Sequence, residues 1–328
     1  MRALAIVCLI GGLLLTGWLV LVVGAPALVA ALRAAGWMGL LAIAGFHLIA
    51  TTLMGLAWWN LRRAGKPRIY VWGRLLRDAG SELLPLSQIG GYVFGARVPI
   101  MHGVGWTSVA ATVVVDATLE FCAQIAFIAL GVALLLRVSR VPVLGAPEPV
   151  LLVLPVAAAT GFVAIQLRSS NILERISARF TRLTFAFVAA SEVQAEIREI
   201  YRANRRLLRS FLLHFTAWLL SGVEAWLALQ FMGARRSLLA VMAIESLLYA
   251  ARGVAFIVPG AIGIQESAYV MLGASLGLPP DIALGLSLLK RARDLVLGIP
   301  ALVSWQIFER RQFRRNQRSL AAEPSAGG

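Results

Sequence analysis

Residues 287–298 read SLLKRARDLVLG, and the charges of Lys290, Arg291, Arg293 and Asp294 lie between two runs apolar enough for lipid, IALGLSL and IPALVSW. Each such charge at the centre of a spanning helix costs roughly 2.5–3.5 kcal/mol on insertion scales. Ionisable groups at that depth face a bundle interior or a wet cavity, and commonly mark a path for an ion or a substrate. At about 100° per residue the four charges share one side of a helix with Ser287 and Gly298, while Leu288, Leu289, Ala292, Leu295 and Val296 fill the rest. Asp294 stands four residues after Lys290 and three after Arg291, so one carboxylate partly neutralises two cations within the helix. Two positive charges still need partners.

Carboxylates for them occur in other apolar runs: Glu224 in SGVEAWLA, Glu245 in VMAIESLLYAARG and Glu266 in GIQESAY. Tyr249 and Arg252 follow Glu245 at i+4 and i+7, which puts all three on one helix stripe. A second stripe, Thr112, Asp116, Glu120 and Gln124, holds two carboxylates and no cation, so it calls for a proton or for the unmatched arginines. The segment VPGAIGIQES (258–267) adds the backbone: Pro259 donates no hydrogen bond and Gly260 and Gly263 weaken helix. An opening there frees polar groups beside Gln265 and Glu266 that protein, water or ligand must satisfy. Together these residues read as a groove for a lipid headgroup, its excess cations suiting an anionic lipid and its carboxylate stripe a proton or a polyol. The competing reading is that the ion pairs only hold helices together.

Other chemistries lack their residues. His47, His102 and His214 are scattered without metal spacing, and no Walker lysine or G-x-S-x-G elbow occurs, so no metal, cofactor, nucleotide or serine hydrolase site is expected. The two cysteines, Cys8 and Cys122, lie in apolar segments and read as small core residues.

The elements that position these groups follow from composition. The chain of 328 residues is 59% hydrophobic and 14% charged, with a mean hydropathy of +0.79, and its apolar runs of about 20 residues match the bilayer core. The expected fold is an all-α polytopic membrane bundle of about eight spans plus a re-entrant element. Spans are expected near 3–23, 38–58, 106–136, 150–167, 211–232, 238–257, 260–277 and 281–306. The segment SELLPLSQIGGYVFGARV (81–98), broken by Pro85 and Gly90–Gly91, reads as the re-entrant hairpin. The GAPALVAA stretch after the first span is not expected to be a cleavage site, because the apolar core before it is too long for a signal peptide. Residues 1–310 are expected to form one transmembrane domain, with 168–209 as a cytoplasmic amphipathic linker that either lies against inner-leaflet headgroups or stands as a solvated helix. Residues 311–328 read as a basic disordered tail.

The net charge of +15 comes in blocks beside apolar spans rather than interleaved with stacking aromatics, which argues against nucleic acid. Residues 60–80, with Arg62, Arg63, Lys66, Arg68, Arg74 and Arg77, the segment 168–209 and the tail are expected in the cytoplasm, as are both termini. Residues 24–37, 137–149 and the turn at Gly233 are expected outside. LLPLSQIGG and the helix of Asp116 and Glu120 echo FIVPGAIGIQE and the helix of Lys290 to Asp294, the pattern of a two-fold internal repeat with its site between the halves.

The succession LLPLSQIGGY, a long polar-faced helix, then ESLLYAARGVAFIVPGAIGIQES and SLLKRARDLVLGIPALVSWQ resembles the transmembrane domain of the lysylphosphatidylglycerol synthases, a flippase-like family. Pro259, Gly260, Gly263, Glu266 and Arg291 carry the family's pattern, and the wording is most similar to its branch associated with hopanoid biosynthesis. In the first half that family often shows an arginine with a nearby acid on the long helix, where this chain has Asp116 and Glu120. The resemblance implies transfer of a hopanoid or related polar-headed lipid across a bacterial inner membrane, in company with hopanoid biosynthetic enzymes. Lipid lysylation is not expected, since no aminoacyl-transferase domain follows the last span. Two further functions stand beside transport: an embedded enzyme using Glu266, Asp116 or Glu120 as general acid or base, and a scaffold docking soluble enzymes on 168–209.

Overall fold

A computed structural model describes residues 25–83, 87–138, 184–254 and 258–322, with four isolated positions before residue 25. The return span 150–167, the NILERISARF stretch and most of the first expected span lie outside the described residues. All regular structure within them is helical, as an all-α membrane protein requires. The helices are α1 (Ala25–Arg62), α2 (Pro67–Leu83), α3 (Ser87–Met101), α4 (Trp106–Val138), α5 (Thr184–Arg202), α6 (Asn204–Phe231), α7 (Leu238–Val254), α8 (Ile264–Ser275) and α9 (Pro280–Ala322). A single 3₁₀ turn, Pro259–Ala261, separates α7 from α8.

Within α1, α4 and α6, the stretches Leu32–Arg62, Trp106–Arg137 and Asn204–Phe231 are long and apolar enough to cross a membrane. Helix α9 has the length, at 43 residues, but carries the charged stretch of Lys290 to Asp294. The structure departs from expectation at four places. Residues 25–35, expected as loop, are helical and meet the rest of α1 at a kink where Gly36 takes φ 58°. Residues 67–80, expected as cytoplasmic loop, form α2, opened by Pro67 at the position where a missing N–H costs nothing. The expected spans at 238–257 and 260–277 are instead the short helices α7 and α8, of 17 and 12 residues, divided by the break at Pro259. Residues 311–322, expected to be disordered, continue α9, in keeping with the helix preference of their Arg, Gln, Leu and Ala.

Helices α2 and α3 fold back on each other as a hairpin, extending over 67–101 the re-entrant element expected at 81–98. Small residues permit the approach: a Cβ at Gly95 would lie 2.7 Å from the Gly73 carbonyl oxygen. Neither arm, at 17 and 15 residues, reaches the roughly 20 needed to cross.

The order long helix, short helix, break, short helix, long helix occurs twice, in α1 to α4 and in α6 to α9. The packing repeats with it: α1 on α2 as α6 on α7, α2 on α3 as α7 on α8, and α3 on α4 as α8 on α9. The halves are joined by exchange, since α4 packs on α6 and α7 while α9 packs on α1 and α2. Helices α1 and α6 pair at the centre. The Pro259 turn touches α2 and α3, so the second break lies beside the first hairpin, as a paired-repeat site would require.

Helix α5 is amphipathic, but its apolar residues Val193, Ile197, Ile200 and Tyr201 join the core cluster that also holds Trp58, Tyr70 and Val115. That face is occupied by protein. Arg62 at the end of α1 binds Glu196 and, at 2.8 Å, Glu199, and this hydrogen bond holds the Glu199 carboxyl below the usual carboxylate range.

Candidate functional site

The charges of α9 do not neutralise one another as their spacing predicts. Asp294 pairs with its neighbour Arg293 at 2.6 Å, and the other contacts run between helices. Lys290 binds Glu245 of α7, Arg291 binds Glu266 of α8 and Arg293 binds Glu224 of α6, so each of the three candidate carboxylates takes one cation. Burial explains the choice: Glu224, Glu245 and Glu266 are each at most 1% exposed, and a carboxylate in that position demands a charged partner.

Each pair is embedded in further polar contacts. Glu245 also accepts from Ser221 at 2.9 Å and from Tyr269 at 2.6 Å, and Tyr249 lies 3.0 Å from the same Ser221 hydroxyl. Glu266 accepts from Ser287 at 3.1 Å and from the Gly263 amide at 2.7 Å, which caps α8. Gly260 and Gly263 take φ 58° and 82°, and the carbonyl of the buried Gly260 accepts from Arg291 at 3.2 Å. The opened backbone beside Pro259 is thus satisfied by a side chain from α9. Gln265 donates to Ser287 at 2.9 Å, and its oxygen accepts from Arg252, which also grips Glu82 at the end of α2.

Asp116 and Glu120 are not matched by α9. Arg74 and Arg77 of α2 reach them: Arg74 to Glu120 at 2.9 Å, Arg77 to Glu120 at 2.5 Å and to Asp116 at 3.4 Å. His214 of α6 completes the set at 2.9 Å from Asp116, and the Arg77 guanidinium stacks 3.6 Å from the Tyr92 ring. Both arginines belong to the block expected as a cytoplasmic topology signal, yet they are 6% and 9% exposed. The missed signal was the spacing of Arg74, Arg77, Asp78, Ser81 and Glu82, a polar helix stripe in a segment whose low hydropathy reads equally well as a loop.

The two clusters are built at matching positions with opposite signs. Arg74 and Glu245 each stand seven residues past the first residue of α2 and α7, and Asp116 and Lys290 ten past the first of α4 and α9. Glu120 and Asp294, fourteen past, are both acids.

Counting pairs overturns the expectation of excess cations. Asp78, Glu82, Asp116, Glu120, Glu224, Glu245, Glu266 and Asp294 stand against Arg74, Arg77, Arg252, Lys290, Arg291 and Arg293, eight carboxylates to six cations among the described residues. A narrow crevice of about 20 Å³, room for about one water and partly open to the exterior, lies between α1, α2 and α9. His47, Thr51, Asp78, Glu82 and Asp294 give it a polar, acidic lining. Among the described residues no group of His, Cys, Asp and Glu is arranged to hold a metal ion.

Long apolar helices, a proline break closed by Glu266 and Arg291, and buried charge between helices characterise the site. No curated protein and no solved structure matches the chain. The family model for the lysylphosphatidylglycerol synthase TM region matches residues 4–301, nearly the whole sequence, so the chain belongs to that membrane-protein family.

Proposed function

We propose that this protein moves a polar-headed lipid between membrane leaflets, with the headgroup passing through the crevice between α1, α2 and α9 while the apolar tail stays in lipid. The observation that carries the reading is the placement of interlocked charges at the junction of two repeats, around a broken helix and beside a partly open crevice. Arg291, 21% exposed on its side chain, and Asp294, 15%, are the members of the α9 cluster that a headgroup reaches first. Passage requires the crevice to widen beyond its present room for about one water, the headgroup taking over hydrogen bonds now made by the neighbouring Arg291, Glu266 and Gly260 carbonyl. Such exchange suits a closed state of a transporter, with Pro259, Gly260 and Gly263 as the flexible point.

The acidic lining favours a headgroup rich in hydroxyls over an anionic phospholipid, and a polyol-headed hopanoid of the kind the sequence wording points to meets that demand. A bacterial inner-membrane location with both termini inside is part of the same reading. Reconstitution into vesicles with a trace of a glycosylated lipid bearing a fluorescent acyl chain tests it, dithionite quenching reporting the leaflet. Wild type exchanges the lipid, whereas Arg291→Ala and Glu266→Ala insert normally and do not. Exchange at wild-type rates in both variants sinks the proposal, and a new lipid product without exchange transfers it to an enzyme.

A further inference from the structure

Eight carboxylates meet six fixed cations in the described network, and the excess lies toward the crevice, where the Asp78, Glu82 and Asp294 side chains are 27%, 22% and 15% exposed, a setting that favours a proton entering from that side. Two histidines touch the network, and they differ in access. His214 is fully buried, whereas His47 is 24% exposed on its side chain and lines the crevice. The Nδ1 of His47 lies 2.8 Å from Glu224 Oε2, while Glu224 Oε1 accepts from Arg293. Its Nε2 makes no hydrogen bond among the described residues. Two other polar groups of the crevice have no hydrogen-bond partner among the described residues: Thr51, 2% exposed, and the buried Oε2 of Glu82. The charged groups around His47 are Asp78 and Glu82 from α2, Glu224 from α6, and Arg293 and Asp294 from α9, and α4 contributes none to the crevice.

We infer that His47 and Glu224 form a coupling-proton site, loaded from the crevice, whose occupancy controls the Glu224–Arg293 clasp between α6 and α9. This rests on the lipid-transfer reading and names what drives it. A proton from a hydronium in the crevice adds to the free Nε2 lone pair of His47, giving an imidazolium whose Nδ1–H already points at Glu224. Glu224, already held by Arg293 and close to Lys290, then has a further cation against it and releases the Arg293 guanidinium, which keeps Asp294 as its partner. Helix α9 is freed from α6, and loss of the proton to the opposite side restores the clasp. The step breaks one O–H bond of a hydronium in the crevice and makes one N–H bond on His47, leaving water, and its reversal does the opposite. The position of His47 on α1, the helix pressed against α6 at the centre of the repeat, lets one proton act on both halves.

Two measurements test this with the full chain. Proton uptake by the protein in nanodiscs, read with a pH dye as the medium is brought from about pH 8 to pH 5, falls by about one proton per molecule in His47→Gln. In vesicles with the glycosylated fluorescent lipid, a transmembrane pH step skews the leaflet distribution about tenfold per pH unit for one proton per lipid, and a protonophore or His47→Gln abolishes the skew. Glu224→Gln, which keeps the side chain's size, carries the same two tests if His47→Gln does not insert. Unchanged uptake in the variants, or exchange indifferent to the gradient, overturns the inference while leaving lipid transfer intact. Absence of exchange in wild type sinks lipid transfer alone, because the uptake difference still decides the proton site.

Discussion

The ion cluster of α2 and α4 and that of α7 and α9 occupy matching places in the two halves, yet the first is sealed except at Asp78, which opens on the crevice, and the second is accessible at several members. In the first, Arg74, Arg77, Asp116, Glu120 and His214 have side chains no more than 10% exposed. In the second, Arg291 and Arg252 are 21% and 14% exposed, Glu82 of α2, which Arg252 grips, is 22%, and Asp294 opens on the crevice. The difference teaches that one arrangement of charges serves two ends. Where water and ligand are shut out it locks a hairpin to a long helix, and where the wall is open the same arrangement can exchange partners.

Breaking the sealed cluster should have the largest effect. Glu120→Ala leaves Arg74 and Arg77 short of a partner inside the protein and is expected to lower stability by about 3–5 kcal/mol, read as the unfolding midpoint in detergent. Inverting one pair sharpens the comparison further. Lys290→Glu and Glu245→Lys should each cost about 3–5 kcal/mol, while the double variant recovers most of that loss, because the first half already places a cation on its short helix and a carboxylate on its long one. A double variant no better than the singles would mean that Ser221 and Tyr269 fix the sign of the site.

Smaller effects belong to the open side. Arg291→Ala removes a partly exposed partner, and Glu266 keeps Ser287 and the Gly263 amide, so the expected loss is about 1–3 kcal/mol with insertion preserved and leaflet exchange abolished. A stability loss matching that of Glu120→Ala would erase the distinction between the halves. The smallest effect lies outside both clusters: Arg62→Ala opens a surface pair with Glu196 and Glu199 and should change the midpoint by no more than about 1 kcal/mol, less in high salt.

Much of the second half was legible in the sequence because its signals are local. Pro259, Gly260, Gly263 and Glu266 lie within one short segment, and the opening of the backbone between α7 and α8 follows from what its proline and glycines can do. The first half hid its arginines. Arg74 and Arg77 lie in a stretch basic enough to pass for a cytoplasmic loop, and only contact with α4 separates a buried polar stripe from a solvated one. Lys290 and Asp294 failed as a pair for a related reason: spacing brings them to one face, but a buried Glu245 competes for the lysine and wins.

The sequence by itself determined a helical membrane chain, the break at Pro259 and the need for charge inside it, since hydropathy, proline and glycine act through the local backbone and its solvent. Only the tertiary structure decided which carboxylate meets which cation, and that acids outnumber bases where they meet. Those outcomes depend on distances between helices far apart in the chain, and electrostatic energy at short range in a medium of low polarity turns on a few ångströms that no spacing along one helix encodes.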